Sequence, residues 1–210
     1  MSKGRLEAFS DGVFAIIITI MVLELRSPQD AELTALQPLV PALLSYVLSF
    51  VNVGIYWNNH HHLLQASRQV NGRILWANLH LLFWLSLFPF VTSWMGGSHF
   101  AAWPVAAYGL VLLLAGIAYF ILTRALVSYH GKESTLASAV GADFKGIASM
   151  VIYALAIPIA FLEPHIACAL YAIVALIWFI PDRRIERVVG PRAEAETTEQ
   201  SQDFSPPIQD

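Results

Sequence analysis

Charge is what this sequence has least of. Only 13% of its 210 residues are Asp, Glu, Lys or Arg, where soluble domains carry about 25%. The hydrophobic share is 57%. A water-soluble domain of this length cannot bury so much apolar surface, so the solvent that accepts it is lipid. Cysteine is nearly absent. Cys168 stands alone, which excludes a disulfide framework and a cysteine-based metal site. The net charge is −3, with no basic excess, and no nucleic-acid partner is expected. No internal repeat is present, because the polar pattern that opens the first apolar segment does not recur in the fourth. No cleavable leader is expected. Lys3 and Arg5 precede an apolar run, but Glu7 and Asp11 interrupt the approach and no small-residue cleavage site follows Leu25. The first apolar segment is therefore read as retained.

What the sequence does have is long apolar runs. Crossing a bilayer takes about 20 apolar residues in a helix. Six segments approach that length: about Leu6 to Leu25, Pro41 to Leu64, Ile74 to Met95, Ala101 to Thr123, Phe144 to Leu162 and His165 to Ile180. The last two are the shortest, with Glu163-Pro164-His165 as a tight turn between them. Pro89 and Pro158 fall inside segments and predict kinks. The fold class that follows is all-α, a polytopic membrane protein with six transmembrane helices.

Basic residues set the orientation. Lys3 and Arg5 precede the first segment, and Arg68 and Arg73 follow the second. Arg124, Lys132 and Lys145 lie between the fourth and fifth, and Arg183, Arg184, Arg187 and Arg192 follow the sixth. Of the 12 lysines and arginines only Arg26 falls on the other side. Both termini are thus expected in the cytoplasm, with the chain in a cell membrane and Trp94 and Trp103 at the opposite interface. Residues 1–182 form the membrane domain in this reading. Residues 183–210 form a polar, acidic tail expected to be disordered.

The first segment carries the informative pattern, from Arg5 through Phe9-Ser10-Asp11 and a long aliphatic run to Leu23-Glu24-Leu25. A second follows at Tyr56-Trp57-Asn58-Asn59-His60-His61-His62-Leu63, and a third runs from Leu75-Trp76-Ala77-Asn78-Leu79 to Phe88-Pro89-Phe90. In order and spacing these resemble the signature of the TMEM175 family of potassium-permeable channels. The last three segments match only in hydropathy. The resemblance implies a six-helix subunit, assembled as a homotetramer in prokaryotic members, with the first helix lining a central pore. It also implies no carbonyl selectivity filter. This sequence has none: no Thr-Val-Gly-Tyr-Gly-like loop occurs, and Tyr108-Gly109 sits in an apolar run. Potassium would be the permeant ion, with lipid and monovalent cations as surroundings and no cofactor.

The residues themselves agree with a pore role. At about 100° per residue, Ile16, Thr19, Ile20 and Leu23 fall on one stripe, and Phe9 and Gly12 extend it. Carried over from the family, Ile16 would be the hydrophobic constriction, Thr19 a hydroxyl ring and Leu23 a further apolar ring. The competing reading is ordinary helix packing, with Thr19 bonding its own helix. Asp11 and Ser10 point away from the stripe. A carboxylate buried there would need partners, and Arg5, the histidines and Asn78 are candidates. In the family such residues, here Arg5, Ser10, Asp11, His60, His61 and Asn78, form an interhelical network. Bracing and proton sensing are both open for Asp11.

Other polar residues give less. The triple histidine does not read as a metal site, because consecutive residues fan out by about 100° each and no carboxylate or cysteine joins them. His80 is expected to be buried and neutral. Glu24 either rings the outer mouth or pairs with Arg26. An enzyme is not expected, since no catalytic constellation occurs at membrane depth. The alternative function is a secondary transporter of a cation or small solute, which would ordinarily show internal repeats.

Overall fold

The computed structural model describes residues 2–28, 31–67, 69–131 and 144–179. Within them every regular element is helical: α1 (Lys3–Leu23), a 3₁₀ helix (Leu33–Leu39), α2 (Val40–Gln65), α3 (Gly72–Ser86), α4 (Phe88–Gly97), α5 (Ala102–His130), α6 (Phe144–Ile159) and α7 (Pro164–Phe179). The tail 183–210 and the basic residues Arg68, Lys132, Arg183, Arg184, Arg187 and Arg192 lie outside the described residues.

All six apolar segments are helices, and the third is two. Pro89 has no N–H to give the carbonyl four residues back, and its ring crowds that carbonyl. The predicted kink is therefore a full break at Leu87, between α3 and α4. The Ser86 hydroxyl donates to the Phe83 carbonyl at 2.7 Å, taking up an acceptor next to the break. Together α3 and α4 make one apolar stretch, Gly72–Gly97, long enough to cross a membrane. Lys3–Leu23, Leu33–Gln65 and Ala102–His130 also qualify. The fourth segment runs on to His130, beyond the expected end at Thr123. α6 and α7 have 16 residues each, about 24 Å of helix at 1.5 Å per residue. Pro158 falls in the last turn of α6, which ends one residue later.

Lipid gives helices no hydrophobic reason to associate, so close fit and interhelical hydrogen bonds do the work. α5 is the hub, packing against α3 on one side and α6 on another. Its buried small residues Ala106, Gly109, Ala115 and Ala118 allow the approach. A buried polar layer ties α2, α4 and α5. Thr92 Oγ1 donates to Ser49 Oγ at 2.6 Å, and Ser49 Oγ and Asn52 Nδ2 both donate to the Tyr108 phenol, at 3.1 and 3.4 Å.

The tightest fit is at Gly109. A Cβ there would meet the hydroxyl of Tyr171 and come within 2.7 Å of its ring carbon. The Tyr171 hydroxyl donates to the Val105 carbonyl at 3.2 Å, so the ring is not free to swing away. Gly109→Ala is expected to cost about 1–3 kcal/mol, the usual range for overpacking a full core. A fall in the melting temperature of the purified protein would register it. An unchanged melting temperature would mean that Tyr171 is displaced without loss.

α1 sits at the edge of this bundle, on α2, α3 and α4. One whole side of it is left open.

Candidate functional site

The two sides of α1 differ by burial. Leu6, Ser10, Phe14, Ile17 and Met21 are buried at a spacing of three or four residues, the period of one helix face. The stripe marked out from the sequence is on the other side. Ile16 is 57% exposed, Ile20 41% and Leu23 79%, and Phe9, Gly12 and Thr19 are exposed with them. The face is apolar except at Thr19. There the hydroxyl donates to the carbonyls of Ala15 (3.0 Å) and Ile16 (2.9 Å). The hydroxyl proton is thus turned toward the helix's own backbone, and the oxygen lone pairs are left facing outward. The self-bond anticipated for the packing reading is present on a residue that faces out.

On the buried side, three helices are joined by a directed chain of hydrogen bonds. His60 Nε2 of α2 lies 2.7 Å from Asn78 Oδ1 of α3, an acceptor, so that nitrogen carries the proton. Asn78 Nδ2 donates to Ser10 Oγ of α1 at 3.0 Å, and Ser10 Oγ donates to the Leu6 carbonyl at 2.8 Å. His60, Asn78 and Ser10 are all buried. The Phe14 ring packs 5.6 Å from the His60 ring and closes the layer.

The other three residues expected in this network are not in it. Asp11 is exposed, and its partner is the Trp57 indole, whose Nε1 donates to Oδ1 at 3.0 Å. The expectation of a buried carboxylate paired with Arg5, a histidine or Asn78 is corrected on that point. One residue along α1 from Ser10 is about 100° around it, which turns Asp11 off the buried side. His61 is exposed too and stacks on Trp57, ring centroids 5.9 Å apart. Arg5 is exposed and does not join the chain. Nor does the triple histidine gather a metal set: no cluster of three His, Cys, Asp or Glu side chains occurs among the described residues.

Two further expectations change. His80 is exposed, not buried, and its Nε2 accepts from Trp84 Nε1 at 2.9 Å. The two residues are one helical turn apart, so the same helix supplies the partner. Glu24 does not pair with Arg26 among the described residues. Its carboxylate accepts from Ser93 Oγ of α4 at 3.1 Å. α1 is therefore tied at both ends, to α3 through Ser10 and to α4 through Glu24. The Ser49–Asn52–Thr92–Tyr108 layer was not picked out from the sequence. Its signal was there: Ser45, Ser49 and Asn52 recur at helical spacing in an apolar run and are all buried.

The chain is similar to known proteins in both sequence and fold. A family model described as endosomal/lysosomal potassium channel TMEM175 matches residues 5–89. That stretch holds α1, the His60–Asn78–Ser10 chain and the helix break. A potassium channel of Chryseobacterium sp. (strain P1-3) is 57% identical over 187 residues, 89% of this chain and 97% of that protein. One of Streptomyces collinus is 34% identical over 56% of this chain and 61% of that protein. The crystal structure of a lysosomal potassium-selective channel TMEM175 homolog from Chamaesiphon minutus superposes with a TM-score of 0.74. It covers 85% of this chain and 96% of its own, at 24% identity, and so establishes the fold. Each of these is an ion channel and none is an enzyme.

Proposed function

This chain belongs to the TMEM175 family, and on that premise we propose that it is a potassium-permeable channel whose pore is enclosed by α1 helices from four copies. The observation that carries this reading is the open side of α1. A stripe of Phe9, Gly12, Ile16, Thr19, Ile20 and Leu23 is left exposed by its own subunit. One copy of α1 cannot enclose a path for ions. Four copies around a symmetry axis can. Ile16 is then the constriction, and an aliphatic ring blocks ions by size and by dewetting. Leu23 makes a second apolar ring, and Ile20 fills the wall between. Both termini lie in the cytoplasm.

Thr19 supplies the polar element. With its proton held by the α1 backbone, its oxygen can act toward an ion only as an acceptor. Four such oxygens offer a partial substitute for hydration, which a larger, more weakly hydrated cation exploits more easily. Thr19→Val keeps the shape and removes the oxygen. Potassium over sodium permeability is expected to fall toward unity while the assembly persists. Purified protein in liposomes, with reversal potentials read under opposed potassium and sodium gradients, measures this. Unchanged selectivity would make Thr19 a packing residue. A flux that saturates and needs a second ion would favour a transporter over a channel.

A further inference from the structure

The open side of α1 is flanked by two further exposed faces. On α2, Leu43, Val47, Phe50, Trp57 and Asn58 are exposed at helical spacing. Trp57 bonds Asp11, which places this face beside α1. On α3 and α4, Trp76, His80, Phe83 and Phe90 are exposed. Phe90 and Ser86 share a cavity with Ile20 and Glu24 of α1, which places this second face beside α1 as well. Asp11 and Ile20 are about 180° apart around the helix at 100° per residue. The two faces therefore stand on opposite sides of the pore stripe. A cyclic assembly needs such a pair, because each copy meets one neighbour with one face and the other neighbour with the other.

Both faces are mostly apolar, which lipid would also accept. Two polar groups argue against lipid. His80 Nε2 is an acceptor for Trp84, so the proton of the neutral ring sits on Nδ1 and needs an acceptor of its own. No such acceptor occurs among the described residues of the subunit. Asn58 is exposed, and its carboxamide makes no hydrogen bond within the described subunit. Unmet donors and acceptors are costly against hydrocarbon.

These two groups are level with one another. Asn78 and His60 are bonded and so share a layer. α2 and α3 run in opposite directions. Two residues from Asn78 along α3 is His80, and two residues from His60 back along α2 is Asn58. Each step moves the same way through the membrane by about 3 Å. Rotation about an axis normal to the membrane preserves that level.

We propose that the α2 face of each copy seats against the α3–α4 face of the next, and that His80 donates its Nδ1–H to the Asn58 carboxamide oxygen across this joint. The proposal rests on the four-copy reading above and adds which surfaces meet. It is tested by cysteine cross-linking in the full chain with Cys168→Ala. The double variant Asn58→Cys with His80→Cys, treated with a short bis-methanethiosulfonate, is expected to give a ladder reaching four copies on denaturing gels. Each single variant is expected to stay at one copy. Phe50→Cys with Phe90→Cys provides a second pair without the polar residues. Ser49 accepts from Thr92, so Phe50 and Phe90 fall in nearby layers. A tetrameric mass in detergent with no ladder from either pair overturns the joint and leaves the channel reading standing. A monomeric mass for the unmodified protein overturns both.

Discussion

Single-channel conductance is expected to rise when Ile16 is replaced by alanine, and to rise further when it is replaced by asparagine. In the pore, symmetry repeats each change four times around the axis. Truncation widens the narrowest point, and an amide there wets it. The opposite outcome follows if the residue packs a protein core, since removing a buried isoleucine to alanine costs about 2–5 kcal/mol. Ile16 is 57% exposed in its own subunit, so cutting it back removes little packing within the subunit. The two readings differ in sign. Single-channel current separates them from any change in expression, because it does not depend on how much protein is present. Conductance unchanged or lower in Ile16→Ala would remove Ile16 from the constriction and rotate the assigned face of α1.

The second large effect is expected at Asn78. It bonds His60 on one side and Ser10 on the other, and all three are buried. Asn78→Leu fits the volume but strands a His60 donor and leaves the Ser10 oxygen without its donor. A stranded buried group costs about 1–3 kcal/mol. A bond between membrane helices is itself worth only about 0.6 kcal/mol on average, so the penalty comes from the orphaned groups. Asn78→Leu is expected to lower the melting temperature and the yield of assembled protein sharply. Ser10→Ala removes the end of the chain and leaves one orphaned donor on Asn78, so its effect should be smaller. Melting in detergent, followed by fluorescence-detected size exclusion, gives the order. Equal effects, or Ser10→Ala the worse, would mean that the layer does not hold α1 through Asn78.

Much of this architecture was legible in the sequence because it follows from hydropathy and period. Long apolar runs set the helices, and Pro89 marked where the third would break. The stripe Ile16, Thr19, Ile20 and Leu23 followed from helical geometry, and the structure leaves that face open. Ser10, His60 and Asn78 were expected in one network from the family resemblance, and they do meet. Asp11 was harder. Its partner Trp57 stood in the sequence only as part of the second motif, and nothing local reveals that its indole N–H points at α1. His80 was expected to be buried because an apolar run surrounds it. Which side of a helix is buried depends on where its neighbours sit, and in a membrane an apolar side can face lipid or protein. The sequence pattern is the same in both cases.

The break at Leu87 has a mechanical meaning for α1. The hydrogen bonds of α1 reach both parts of the broken helix: Ser10 bonds α3 and Glu24 bonds α4. α3 and α4 are separate rigid rods joined at Leu87. A change of angle at that joint would move one anchor point relative to the other, and α1 would have to tilt or bend with them. Between Ser10 and Glu24 the midpoint is Ile17, with Ile16 and Thr19 beside it. The narrowest part of the proposed pore thus lies between two anchor points that a hinge at Leu87 would move relative to each other.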